Sequence, residues 1–160
     1  MEREVFDMLY IAYGSNIDPQ EISLRCPSAK FVDVGMLNNY KLVMRRYLDV
    51  DCCNGELMSD HITPCGVPIV AYEIDDKDIP NLDRYEAYPD LYTKIEVNVT
   101  LKNDNMVDNT KGIIYIMTDE QKKLTPYEKC DDLYLKRVAR GYDVYQFNHE
   151  FLKEAYNNYK

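Results

Sequence analysis

The sequence contains no tryptophan, 4 phenylalanines, 6 glycines and 2 histidines, and none of its apolar runs approaches the length of about 18 residues that crosses a bilayer as a helix. Each scarcity removes a class of function. His61 and His149 lie far from Ser15, and although Ser15 follows Gly14, no Gly-x-Ser-x-Gly frames it, so a serine triad has little support. The same turn, Tyr13-Gly14-Ser15-Asn16, holds one glycine and no Lys-Ser or Lys-Thr, which excludes a phosphate loop. Cations are also short: 19 Lys and Arg against 28 Asp and Glu leave a net charge of -9. The longest basic clusters are the pairs Arg45-Arg46 and Lys122-Lys123. Nucleic-acid affinity comes mainly from counterion release by clustered cations, so no nucleic-acid partner is expected.

With Glu2, Arg3, Glu4 and Asp7 interrupting the region where a signal peptide needs an apolar stretch, no membrane partner is expected and a cytoplasmic location is predicted. The 5 cysteines are an odd number, which fits reduced, independent thiols better than a disulfide framework. Cys52, Cys53, His61 and Cys65 fall close together, but they lack the paired short spacing with which zinc sites grip one ion, and no metal is expected there.

What is present points to a folded chain: 46% hydrophobic and 29% charged residues with no low-complexity tract, at a length that suits a single domain over 1–160. Tyrosine is abundant, with 15 residues. Buried phenols need partners for their hydroxyls, so this number predicts a cavity or core edge with polar tips.

The run Met8 to Tyr13 reads as a strand closed by Gly14-Ser15-Asn16, and Asp18-Pro19 then starts a short helix that Pro27 stops. Phe31 to Leu37 and Tyr40 to Leu48 read as two antiparallel strands around a hairpin at Asn38-Asn39. Asp49 to Pro64 shows no period and reads as a loop; Gly66 to Ile74 is a strand, Asp75 to Ala87 a helix, and Tyr92 to Leu101 a strand with one wet face. The Asn103-Asp104-Asn105 turn leads to a last strand, Gly112 to Met117. Helical spacing at Leu133, Val138 and at Phe147, Phe151, Leu152, Tyr156 predicts two closing helices. Strands outnumber helices and connect mostly by turns, so the fold class is α+β, a mixed sheet able to curl into a small barrel with helices over one end.

Two places carry chemistry. The strand-turn-helix from Tyr10 to Leu24 ends a buried strand just before a helix, where backbone N–H groups can receive an anion or oxyanion. The second is Leu82 to Pro89. Leu82 and Glu86 share a helical face, which sets a carboxylate beside the buried stripe; there it is either raised in pKa for proton transfer or paired with Arg84 or Lys94.

Taken together, Tyr10-Ile11-Ala12-Tyr13-Gly14-Ser15-Asn16, Leu24-Arg25 with Pro27-Ser28-Ala29, Leu82-Asp83 with Glu86, Tyr92, Gly112 with Tyr115-Ile116-Met117-Thr118, and Tyr134 with Gly141 resemble the gamma-glutamylcyclotransferase-like family. The resemblance implies a small mixed, mostly antiparallel β-barrel with flanking helices and no metal or organic cofactor. It implies an enzyme that cyclises a gamma-glutamyl group to 5-oxoproline and releases an amine or amino acid. Glu86 would be the general base and acid, the Tyr13, Gly14, Ser15 and Asn16 turn would hold the substrate, and Tyr92, Tyr115 and Tyr134 would be pocket tyrosines. Ala87 stands where the family often has glycine. Two readings compete with catalysis: a non-catalytic module that keeps the pocket to bind a small ligand, and an interaction domain with its tyrosines in a surface patch.

Overall fold

A computed structural model describes residues 9–53, 65–103, 110–125 and 127–157. Met8, His61, residues 54–64 of the expected loop, and Asp104-Asn105 of the expected turn lie outside them. In chain order the strands are β1 (Leu9–Ala12), β2 (Lys30–Asn38), β3 (Tyr40–Arg45), β4 (Tyr47–Cys52), β5 (Gly66–Glu73), β6 (Tyr92–Leu101) and β7 (Thr110–Met117). The helices are α1 (Pro19–Arg25), α2 (Ile79–Tyr85), α3 (Asp119–Leu124), α4 (Asp132–Tyr145) and α5 (Glu150–Asn157).

Five strands close into a barrel in the order β1, β5, β2, β6, β7, and β3 with β4 forms a separate two-stranded ribbon. All barrel pairings are antiparallel except that of β1 with β7, which closes the ring. Gly112 permits that closure: a Cβ there would lie 2.4 Å from Ile11 Cγ1. Both faces of the barrel wall are packed: Ile11, Ile69, Val70, Ile114 and Met117 are each almost wholly buried, each contributing roughly 1.5–3 kcal/mol relative to an exposed position. β5 is buried along its whole length except Glu73, and so sits at the centre between β1 and β2.

The expected hairpin between residues 31–37 and 40–48 does not form. β2 pairs with β5 and briefly with β6, whereas β3 reverses at Arg46 to pair with β4, bringing Arg45 opposite Tyr47. Asn39 does take a positive φ of 70°, but it redirects the chain out of the barrel rather than folding it back. The reversal is at Arg46, with φ 78°, whose N–H donates to the Glu128 carbonyl at 3.1 Å while the Glu128 N–H donates to Met44 at 2.9 Å. A residue tolerant of positive φ reads alike in both roles, and these long-range supports have no local signature.

Other boundaries shift. Asp49–Cys52 belongs to β4 rather than to a loop, and α3, capped by Thr118, has no counterpart in the sequence reading. Neither Asp75 nor Asp78 caps its helical segment through its side chain. On α4 the buried face is Tyr134, Val138, Gly141 and Tyr142, with Leu133 exposed. Cys53 and Cys65, expected as free thiols, are joined in a disulfide across 12 positions, and Cys26, Cys52 and Cys130 are free. The start of β3 brings the pair together, since the Asn39 carbonyl accepts from the Cys53 N–H at 3.0 Å and the Tyr40 carbonyl lies 3.5 Å from Cys65 Sγ. None of the described helices is long and apolar enough to cross a membrane.

Candidate active site

β1 ends at Ala12, and the chain turns through Gly14 into a 3-10 turn, Ser15–Ile17, that runs directly into α1. Asp18 sets the start of α1: its carboxylate accepts from the Gln20 N–H at 3.0 Å, and Pro19 fills the first helical position, where no N–H is needed. The turn is seated by α4. A Cβ on Gly141 would come within 2.8 Å of Asp18 N and of Ile17 Cγ2, so only glycine lets the helix approach this closely. Within the turn, Ile17 N–H donates to Gly14 O and Asp18 N–H to Ser15 O. The N–H groups of Gly14, Ser15 and Asn16 have no acceptor among the described residues.

This turn lines one side of a cavity of about 260 Å³. Tyr13, Gly14, Ser15 and Asn16 face Glu86 across it, and Tyr92, Tyr115 and Tyr134 complete the walls. Thus the eight residues expected at the site from the sequence line one space. Asn16 is 2% exposed; its Nδ2 donates to the Tyr10 hydroxyl at 3.1 Å, and its Oδ1 has no partner. An acceptor buried without a donor costs about 1–3 kcal/mol, so the cavity favours a ligand that brings an N–H.

Glu86 caps the C-terminus of α2, its N–H donating to Leu82 O at 3.0 Å, while Leu82 is buried beneath. Glu86 is half-buried and lines the cavity. Desolvation pushes its pKa up from 4.5 to about 8, opposed only by the Arg25 guanidinium. The ion-pair alternative is not realised: Lys94 Nζ lies 3.0 Å from Asp83, and Arg84 donates to Asn81. Among the described residues no hydrogen bond reaches the Glu86 carboxyl.

Ala87, just after it, has φ 52°. That is the left-handed region, where a side chain costs about 1–2 kcal/mol, and this accounts for a glycine at such a position. Ala87→Gly is expected to raise stability by roughly 0.5–1 kcal/mol after the added chain entropy of glycine is deducted. Urea titration checks this, and a less stable variant contradicts it.

The tyrosines divide by where their protons go. Tyr13 donates to the Tyr115 carbonyl at 2.6 Å, Tyr92 to the Leu48 carbonyl at 3.0 Å, and Tyr115 to Asp83. Their donors are spent, so they shape the cavity rather than bind an anion. Tyr10 accepts from Asn16, and Tyr134 accepts from the Leu48 N–H at 3.4 Å, so each keeps its own hydrogen for a ligand. Burial holds the phenols of Tyr10, Tyr13, Tyr92 and Tyr134 well above the ordinary range, and they stay neutral.

Sequence reading missed Tyr47, Tyr85 and Arg137 as lining residues, and gave Tyr10 no role in the site. Arg137 stands three residues after Tyr134 on α4, a spacing that puts it at the edge of the same face. Tyr85, which shares a 2.8 Å hydrogen bond with Ser15 Oγ, has no local signal that distinguishes it from its neighbours.

Residues 10–136 match the family model described as "Gamma-glutamyl cyclotransferase, AIG2-like". Among solved structures, the chain is similar to a protein described as "Gamma-glutamyl cyclotransferase", with 22% identity and a TM-score of 0.71 over 96% of this chain and 88% of that one. A human protein described as uncharacterized protein loc79017 gives 22% identity and a TM-score of 0.70 over the same shares, 96% and 88%. YkqA from Bacillus subtilis gives 17% identity and a TM-score of 0.68, covering 95% of this chain and 55% of that one. These likenesses show a shared fold. No curated protein sequence matches the chain.

Proposed function

The chain belongs to the gamma-glutamyl cyclotransferase, AIG2-like family, and from that premise we propose that it cyclises a gamma-glutamyl compound to 5-oxoproline, releasing an amine or amino acid, with Glu86 as base and then acid. The observation that carries this reading is an unpaired Glu86 carboxyl, raised in pKa by burial, in one cavity with three unengaged backbone N–H groups.

A free α-amine has a pKa of about 8, so near neutral pH most of it is ammonium and has no lone pair to attack with. The ammonium suits the cavity's two acceptors, Asn16 Oδ1 and the Glu86 carboxylate. Glu86 takes one proton. The amine nitrogen then bonds to its own γ-carbonyl carbon, and closing a five-membered ring within one molecule avoids the entropy cost of bringing two reactants together. The carbonyl π pair moves onto oxygen, and the N–H groups of Gly14, Ser15 and Asn16 supply donors for that oxyanion, worth about 2.7–4 kcal/mol for a well-aimed one. Collapse of the intermediate breaks the bond to the leaving nitrogen, which receives the proton from Glu86; the regenerated carboxylate then takes the second proton of the cationic ring nitrogen and passes it to the released amine, which departs as an ammonium. The reaction needs no covalent nucleophile from the protein because the substrate carries its own.

The test is to incubate the purified protein with gamma-glutamyl amino acids and amines and to quantify products by chromatography. Equimolar 5-oxoproline and released amine are expected. Binding without turnover would replace this reading by that of a ligand-binding module.

A further inference from the structure

We propose that Arg137 sets the specificity of the cavity by holding a carboxylate on the departing part of the substrate, so that gamma-glutamyl amino acids are preferred over gamma-glutamyl amines. The inference rests on the cyclotransferase reading of the same site and adds the substrate class to it.

Arg137 is held in place before any ligand arrives. Its Nε donates to Glu21 Oε2 at 3.1 Å, and its Nη2 donates to Glu21 Oε1 at 3.2 Å and to the Tyr85 hydroxyl at 3.0 Å. The guanidinium carbon lies 5.8 Å from the Tyr134 ring centre, against the cavity wall. Its Nη1 has no acceptor among the described residues. A planar fork fixed along one edge with its remaining donors free is suited to a carboxylate, and little further rotamer freedom is lost on binding.

The local charge favours an anion. Arg25, Arg137 and Arg140 all donate to Glu21, and Arg140 also pairs with Asp18 at 2.8 Å. Three cations against these two carboxylates leave one positive charge over while Glu86, on which Arg25 also acts, is protonated, at the rim of a chain whose net charge is -9.

Depth decides which carboxylate it meets. Both residues are half-buried, but far more protein surrounds the Glu86 carboxyl than the Arg137 guanidinium, whose side chain is 33% exposed. The reacting amine must reach Glu86, which puts the glutamyl unit at the enclosed end and the leaving group towards the rim. An amino-acid leaving group carries its carboxylate on the carbon next to the scissile nitrogen. A simple amine carries none.

The test pairs γ-glutamylalanine with γ-glutamylethylamine, which lacks only that carboxylate. Wild-type kcat/KM is expected to favour the first by roughly 10- to 100-fold, the range of a hydrogen-bonded charge pair. Arg137→Met should bring the ratio close to one, chiefly by lowering the value for γ-glutamylalanine, and Arg137→Lys should keep part of the preference. A wild-type ratio near one, an unchanged ratio in Arg137→Met, or proportionally equal losses on both substrates overturns the proposal.

If wild-type protein releases no 5-oxoproline from either compound, the cyclotransferase reading fails by itself, and calorimetry still decides the role of Arg137. Glu86→Gln protein should bind γ-glutamylalanine at least tenfold more tightly than γ-glutamylethylamine, with the difference lost when Arg137→Met is added. Equal affinities overturn it.

Discussion

Glu86→Gln is expected to lower kcat for 5-oxoproline release by about 10²- to 10⁴-fold, the usual contribution of a positioned acid-base group, while substrate affinity stays within a few-fold. Glutamine keeps the shape of the side chain but cannot take the ammonium proton. The same substitution should make the protein more stable at alkaline pH. Burial raises the Glu86 pKa from 4.5 to about 8 in the folded chain, so its ionised form is the one that folding disfavours. A raised folded-state value gives a contribution that is fully present below 4.5 and is lost as pH climbs through about 8. Wild type and variant should therefore match near pH 4 and differ by a few kcal/mol near pH 9, with the variant ahead. Denaturant titrations at both values check this. A variant that is inactive yet more stable separates lost chemistry from lost structure, and an active variant removes Glu86 from the mechanism.

Asp49→Ala should carry the largest stability loss. Asp49 is fully buried and ties the ribbon to the barrel: its Oδ2 accepts from Arg45 Nη1 at 2.8 Å and its Oδ1 from the Met117 N–H at 3.1 Å. Deleting one partner of a buried pair costs about 3–5 kcal/mol when the other is stranded. Arg45 keeps Asp51, at 2.9 Å from its Nη2, so the loss is expected near the lower end, about 3 kcal/mol. Since Leu48, beside it, meets both Tyr92 and Tyr134, the ribbon also frames the cavity, and activity should fall along with stability. A urea midpoint unchanged from wild type contradicts this reading.

Much of the site is legible in the sequence because its parts are local. The turn at Gly14-Ser15-Asn16 announces itself between an apolar run and an Asp-Pro helix start, and Glu86 stands one helical turn after Leu82 on a face that must be buried. Both signals need only neighbouring residues. What could not be read depends on distant contacts. Asn39 adopts the positive φ its side chain tolerates, yet whether the chain returns or departs there is settled by β5 pairing with β2 and by Glu128 supporting Arg46. The Cys53–Cys65 bridge needs the start of β3 to bring both residues together, which an odd count of thiols does not reveal. Likewise, which tyrosines keep a free proton follows from carbonyls of other strands, and the exposure of Arg137 hides its orientation towards the cavity.

The decisive measurement is the pH dependence of 5-oxoproline release from γ-glutamylalanine by the wild-type protein. The predicted kcat/KM rises on its acidic limb up to about pH 8, where the Glu86 carboxyl loses its proton, and falls at higher pH as the substrate ammonium loses its own. Absence of 5-oxoproline at every pH, or an acidic limb at the ordinary carboxylate value near 4.5, contradicts the role given to Glu86.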